Sequence, residues 1–107
     1  MTKKATKKAT KMPKSVKVGY FNYTIKENED LVENLGLTKL DKLIIEITPS
    51  YPEQIVKETL LHECLHAILK DSFLFNDEIE ENLVSMISPQ IMMVMKDNPD
   101  LKSYLFD

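Results

Sequence analysis

Two histidines one helical turn apart are the residues of this 107-residue chain best suited to chemistry. His62 and His66 are the only histidines of the protein, and they enclose Glu63 in the motif His-Glu-Cys-Leu-His, or HExxH. On an α-helix this spacing puts both imidazoles on one face, as two ligands of a single zinc ion require. Glu63 is offset from the histidines, so we expect it to reach a metal-bound water and act as a general base.

A third ligand must come from elsewhere in the chain, because a catalytic zinc ion generally takes three protein ligands and a water. No third histidine exists, so we expect a carboxylate in this role. The nearest candidates open the next predicted helix and are Asp77, Glu78, Glu80 and Glu81. A helical wheel centres the apolar side chains of that segment close to Glu80 and places Glu81 to one side. The wheel slightly favours Glu80 and leaves the choice open.

The HExxH motif lies midway along a segment that the sequence predicts to be a helix over about residues 51–70. Its apolar side chains recur at helical spacing. Ser50 and Glu53 match a capping box at its start, and Pro52 is tolerated in a first turn. A loop around residues 72–76 is expected to separate this helix from the next one.

A second helix is predicted over about residues 78–96, opened by a capping pair of Asp77 and Glu80. Pro89 interrupts the helical pattern, which indicates a kink or a break just before it. An Asn-Pro pair at 98–99 ends the helix. A hairpin of the two helices would place the acids of this first turn against the histidine-bearing helix.

Two segments have the composition of strands. Residues 16–25 are rich in β-branched and aromatic side chains and predict a strand or a bent hairpin arm, in which Gly19 would mark a bulge. Residues 43–48 give the clearest strand pattern. Between them, the acidic stretch fits either a short helix over 29–35 capped by Gly36, or a loop.

The helix that carries the motif resembles the active helix of a known family. Thr59-Leu-Leu-His-Glu-Cys-Leu-His-Ala-Ile68 is similar to that helix in small single-domain zincins of phages and bacteria, relatives of the ImmA/IrrE-type and SprT-like metallopeptidases. The resemblance spans roughly residues 16–101 and includes the strand at 42–48. The next helix, with Glu81-Asn-Leu-Val84-Ser-Met-Ile87-Ser88, matches the family pattern Glu-x-x-Val-x-x-Ile-Ser. In that pattern the glutamate three residues before the valine binds zinc, which implies Glu81.

The resemblance implies an α+β fold of the minimal zincin-like type, in which a small sheet of two to four strands packs on the HExxH helix and a second helix closes the site. It also implies a zinc-dependent metallopeptidase of the gluzincin type, with Zn²⁺ held by His62, His66 and Glu81. Glu63 would deprotonate the zinc-bound water for attack on a peptide bond. A peptide or protein substrate would pair as a strand with the sheet edge near residues 43–48.

Zincin sites often carry a tyrosine, histidine or arginine that steadies the oxyanion. This chain has no arginine and no further histidine, which leaves its four tyrosines as candidates. The sequence selects none of Tyr20, Tyr23, Tyr51 and Tyr104.

A second hypothesis is a non-catalytic zincin-fold module, for instance in a phage particle, that keeps the zinc site for folding and binds a partner. Zinc supplies substantial folding free energy to small domains. Glu63 separates the two hypotheses, because a structural zinc site has no need of a general base.

The charge is divided unevenly along the chain. Residues 1–15 hold six lysines and no acid, whereas residues 16–107 hold eight lysines and all seventeen acids. We therefore predict a disordered lysine-rich arm over 1–15 and one zincin-like domain over 16–107. A basic arm suggests nucleic acid as a partner, but lysines without arginines or aromatic side chains bind it only weakly.

The remaining composition bears on location. A single cysteine excludes an internal disulfide framework. The apolar runs are far shorter than a membrane helix needs, and no signal peptide is visible, so we expect no membrane association and a cytoplasmic location, in the host cell if the protein is phage-encoded. Cys64 lies about 200° around the helix from His62 and is expected to pack in the core.

The end of the chain is unusually apolar. The second predicted helix carries four methionines and apolar side chains on more than one face, and residues 101–106 add one apolar turn. In so small a domain this predicts a protein partner or an oligomer contact. The four methionines are Met86, Met92, Met93 and Met95.

Overall fold

The computed structural model describes residues 12–32, 34–69 and 76–106, and it has an α+β fold. The sequence-based prediction of this class is confirmed. The described strands are β1 (Ser15–Val18), β2 (Phe21–Glu27), β3 (Gly36–Lys39) and β4 (Ile44–Ile47). The described helices are α1 (Glu53–Leu69), α2 (Asp77–Asp97) and α3 (Pro99–Phe106). The predicted arm lies outside the described residues over 1–11, while Met12 already packs against the core.

The four strands form one mixed sheet in the order β1-β2-β4-β3. β1 and β2 make an antiparallel hairpin, and β2 runs parallel to β4. Val18 pairs with Phe21, so Gly19 is the first residue of a two-residue turn, at φ +60°. The predicted bulge at Gly19 is therefore wrong: the glycine supplies the positive φ that a tight hairpin turn requires at this position.

β3 lies at an edge of the sheet, antiparallel to β4. Of the two alternatives for 29–35, the loop is confirmed and the helix is wrong, because the described residues form a loop and Gly36 begins β3. The strand predicted at 43–48 is confirmed as β4, but it lies between β2 and β3. The prediction that a sheet edge lies near 43–48 is therefore wrong. Ile45 and Ile47 are fully buried, as suits an interior strand.

One face of the sheet packs on α1 and forms the core. Tyr23 and Ile25 of β2 and the two buried isoleucines of β4 cluster with Ala67 of α1. Cys64 also packs against this cluster, and burial raises the pKa of its thiol. A protonated thiol in apolar surroundings is inert, so the predicted packing role of Cys64 is confirmed.

The helix predicted over about 51–70 is confirmed as α1, but its start differs. The helix begins at Glu53, and the carbonyl of Pro52 accepts hydrogen bonds from the backbone amides of Ile55 and Val56. Pro52 is thus the residue that flanks the helix. Ser50 lies two residues before it, so the capping box predicted for Ser50 and Glu53 is not formed. Proline suits the position directly before the helix because its backbone has no N–H group that would need an acceptor.

The second predicted helix is confirmed as α2, again with a different cap. The side chain of Asn76 accepts a 2.8 Å hydrogen bond from the backbone amide of Ile79 and caps the helix. Asp77 is thus already inside the helix, and the predicted Asp77–Glu80 capping pair is wrong. This cap leaves the side chain of Glu80 free for another contact. The helix continues through Pro89 without a break and ends before Asn98, as the Asn-Pro pair predicts.

α3 is the short apolar turn predicted at the end of the chain. All of its side chains are exposed, and within the described residues it packs against α2 alone among the helices and strands. The prediction of a partner or oligomer contact on these helices stays a prediction. No helix among the residues that the structure describes is long and apolar enough to cross a membrane.

Gly36 marks the closest approach of the sheet to the histidine-bearing helix. A Cβ atom on it would lie 2.8 Å from Cγ2 of Thr59 and 2.9 Å from Cγ of Glu63. We expect Gly36→Ala to lower the free energy of unfolding by about 1–3 kcal/mol, because one strand or one side chain must shift.

Urea denaturation of the metal-free protein measures this effect. Thr59→Ser removes the nearer of the two opposing atoms, so we expect it to recover part of the loss in the double variant. An alanine variant as stable as wild type would contradict the close packing of β3 on α1.

Candidate metal centre

His62 and His66 lie on the face of α1 that meets the first turns of α2. Both imidazoles are about four-fifths buried, with their ring centroids 5.0 Å apart. The Nε2 atoms of both rings face Glu81. His66 Nε2 is 2.7 Å from Glu81 Oε1, and His62 Nε2 is 3.4 Å from the same oxygen.

These three side chains form a group that could hold a metal ion. One ligand atom from each of His62, His66 and Glu81 lies within 4.8 Å of the other two. Tetrahedral zinc with nitrogen and oxygen ligands needs neighbouring donors about 3.3 Å apart. The His62–Glu81 distance already meets this spacing, and the His66–Glu81 distance needs to open by a few tenths of an ångström. Two imidazoles and a carboxylate are also a donor set that zinc accepts.

Glu81 is held by Ser85 as well as by the histidines. The Ser85 hydroxyl donates a 2.9 Å hydrogen bond to Glu81 Oε2, which leaves Oε1 as the nearer oxygen to His66. Although partial burial acts to raise it, the bonds from Ser85 and His66 keep the pKa of Glu81 below its usual range. Glu81 is therefore ionised at neutral pH, as a ligand must be.

Glu80 also reaches the centre, but on the other side of His66. Its Oε2 atom is 2.6 Å from His66 Nδ1. Its side chain is 18% exposed, against 53% for Glu81, which agrees with the apolar face of the helical wheel centring close to Glu80. Asp77 and Glu78, the other two candidates, are exposed and do not belong to the group of possible ligands.

Burial lowers the pKa of His66, but its hydrogen bonds to Glu80 and Glu81 outweigh this effect and raise the pKa above the ordinary value. The metal-free protein therefore favours a protonated His66 between two carboxylates. A metal held by His66 would have to displace this proton, so its apparent affinity would fall as the pH is lowered.

Glu63 lies beside the histidines and is almost completely buried, at 6% exposure. The Thr38 hydroxyl of β3 donates a 2.6 Å hydrogen bond to Glu63 Oε1. Burial raises the pKa of Glu63, while the bond from Thr38 lowers it in part. A carboxyl group with a raised pKa and a fixed orientation is suited to exchange protons near neutral pH.

Thr38→Val tests this contact. Removing the donated hydrogen bond leaves burial less opposed, so we expect the pKa of Glu63 to rise further in the metal-free protein. A carbon-13 NMR titration of the glutamate side-chain carboxyl groups measures it, with Lys39→Ala as a control on the same strand. An unchanged titration of Glu63 in Thr38→Val would contradict the hydrogen bond.

An open groove passes over the centre between β3 and α2. It consists of two clefts of about 380 and 530 Å³ that share Asn34, Gly36, Glu63 and Glu81 in their linings. Volumes of this size fall in the range of ligand-binding clefts. None of the four tyrosines proposed from the sequence lines either cleft. Asn34, an amide side chain in both linings, is the alternative candidate for contact with a substrate oxygen.

A second polar contact, outside the group of possible ligands, joins α1 and α2. The hydroxyl of the fully buried Ser88 on α2 donates a hydrogen bond to the Glu58 carboxylate on α1. This bond and the packing of Val84 hold the first turns of α2 over the histidines.

Sequence reasoning missed Thr38, Ser85, Asn34 and the contact that Glu80 makes. For Ser85 a signal was present, because a residue four positions after Glu81 lies beside it on a helix. Thr38 and Asn34 carry no comparable local signal, since β3, which contains Thr38 and follows Asn34, was not predicted.

No family model, no curated protein and no solved structure matches this chain.

Proposed function

We propose that the protein is a zinc-dependent metallopeptidase with a minimal zincin-like arrangement. The observation that supports it most is the meeting of His62, His66 and Glu81 around one point beside the buried Glu63. His62, His66 and Glu81 would hold the metal, and Glu63 would move a proton. The groove between β3 and α2 gives an extended peptide access to all four.

His62, His66 and Glu81 would hold the zinc, which would supply Lewis-acid chemistry by lowering the pKa of a bound water towards neutrality and polarising a carbonyl group. Glu63 accepts the proton of the attacking water and passes it to the nitrogen of the leaving amine. Thr38 holds Oε1 of Glu63, so Oε2 is the oxygen without that bond and the one we assign to proton transfer. Ser85 orients Glu81 for its part as a ligand.

The free edge of β3 is the place for a substrate strand in this proposal, instead of residues 43–48. The amide of Thr48 donates to the carbonyl of Leu35, so Leu35 faces β4. Along an antiparallel pair, successive residues direct their backbone N–H and C=O groups alternately towards the partner strand and away from it. The backbone groups of Gly36 and Thr38 therefore point away from β4. An extended peptide can add to these groups as another strand. The Thr38 side chain contacts Glu63, so this edge lies next to the proposed general base.

Peptide hydrolysis by the zinc-loaded protein tests the proposal. We expect new termini in an unfolded protein substrate such as denatured casein, detected by mass spectrometry. Cleavage should stop after a chelator has removed zinc and return after zinc is added back. A protein that holds about one zinc ion per chain and produces no new termini from casein or from a mixed peptide library would contradict the peptidase proposal.

A non-catalytic module that uses zinc for folding is the second candidate, and α3 favours it. Tyr104 and Phe106 are 85% and 74% exposed on a helix with no described neighbour except α2. Large exposed apolar side chains in a group are typical of surfaces that bind partners. In this case the zinc-loaded protein would show no hydrolysis, and substitution of Glu63 would change nothing but stability.

A further inference from the structure

Glu80 has a contact that the proposed peptidase mechanism does not use. Its carboxylate meets Nδ1 of His66 at 2.6 Å, while Glu81 meets Nε2 of the same ring at 2.7 Å. The two neighbouring glutamates therefore approach one imidazole from its two nitrogen atoms. Only the Glu81 side also faces His62, so a metal shared by both histidines would lie on that side.

We infer that Glu80 is a positioning residue, which binds the Nδ1–H group of His66 and thereby presents Nε2 to the metal. The inference rests on the proposed zinc site. A histidine that ligates through Nε2 carries its proton on Nδ1, and an acceptor for that proton fixes both the tautomer and the direction of the ring. The carboxylate of Glu80 is such an acceptor.

The surroundings of Glu80 suit this role better than a surface charge or a direct ligand. Its side chain is four-fifths buried, so its bond to His66 is shielded from water. The backbone amide of Glu80 donates to the carbonyl of Asn76, and the Asn76 side chain caps the same turn. Glu80 is therefore carried on a capped helix turn, and its carboxylate lies at hydrogen-bonding distance from the ring.

Zinc affinity measured by competition with a chromophoric chelator tests the inference in the full-length protein. We expect Glu80→Ala to weaken zinc binding by about 10–100-fold, the range typical of a lost partner behind a ligand. Glu80→Gln keeps an acceptor oxygen without the charge and should weaken binding less. Glu81→Ala removes a ligand and should weaken it more than either. Glu78→Gln, an exposed acid on the same turn, is the matched control and should bind as wild type does.

A second measurement separates positioning from a general structural effect. In the zinc-loaded protein with nitrogen-15 histidine, the Nδ1–H proton of His66 should be protected and visible by NMR. We expect this signal to disappear in Glu80→Ala through exchange with water, and to be retained in Glu78→Gln. Circular dichroism verifies that each variant is folded.

The outcomes separate the inference from the proposed function. Zinc affinity equal to wild type in Glu80→Ala, with the His66 signal retained, would overturn the inference and leave the zinc site intact. A larger loss in Glu80→Ala than in Glu81→Ala would make Glu80 the ligand and overturn it too. A wild-type protein that binds no zinc would overturn both.

Discussion

His66→Ala abolishes zinc binding in our first prediction. The wild-type protein should hold about one zinc ion per chain, since the two imidazoles and Glu81 supply the three protein ligands of a catalytic site. Removing His66 takes away one ligand and leaves Glu80 and Glu81 without the ring that lies between them. We expect a larger loss of affinity than the about 10–100-fold that a missing outer partner causes.

Metal content by mass spectrometry and the melting temperature measure this effect. A ligand present at about 100 times its dissociation constant stabilises a folded protein by about 2.7 kcal/mol, so zinc should raise the melting temperature of wild type and leave that of His66→Ala unchanged. Glu78→Gln, in the exposed part of the same helix turn as Glu80, should respond as wild type does.

Two results would contradict the zinc site. One is a wild-type protein that stays free of zinc after purification without chelator and after an attempt to load it. The other is a His66→Ala variant that keeps its zinc. In either case HExxH in this chain would be a coincidence of sequence, and a binding role would become the leading hypothesis.

Glu63→Gln should remove hydrolysis and preserve the fold. General acid–base catalysis contributes about 10²–10⁴-fold to a rate, and Gln cannot exchange the proton. The amide oxygen of Gln can still accept the hydrogen bond from Thr38, so the packing of β3 on α1 is kept. Zinc content should stay at the wild-type level, because Glu63 is not one of the three ligands.

The stability of Glu63→Gln should also depend on pH in a defined direction. Burial raises the pKa of Glu63 in the folded protein, so folding favours its protonated form. The wild type loses this contribution as the pH rises from the ordinary carboxyl pKa through the raised value. Compared with metal-free wild type, Glu63→Gln should therefore gain relative stability over that interval and keep the gain at neutral pH.

Urea denaturation at several pH values and an assay of casein cleavage measure the two effects separately. Glu53→Gln, at an exposed position in the first turn of α1 and outside the metal group, is a matched control and should retain activity. An active Glu63→Gln variant would contradict the role of general base. Loss of folding in that variant would show that the charge of Glu63 serves the structure.

The local features of the site could be predicted from the sequence alone. A spacing of four residues places His62 and His66 on one face of any α-helix, and the apolar periodicity around them indicates that helix. The strand at β4 and the end of α2 before the Asn-Pro pair follow from similarly short-range preferences. In each case the energy that decides the structure comes from residues within a few positions along the chain.

Which side chains contact the histidines and Glu63 was decided by the tertiary structure. Glu80 and Glu81 are adjacent acids, and only the packing of α2 on α1, across 14 or more residues, gives one of them Nδ1 and the other Nε2 of His66. Thr38 reaches Glu63 across 25 residues, from a strand that has no strong pattern of its own. β3 becomes the edge because β4 pairs with β2 on its other side. Such contacts depend on how whole elements pack, and no local preference in the chain determines that.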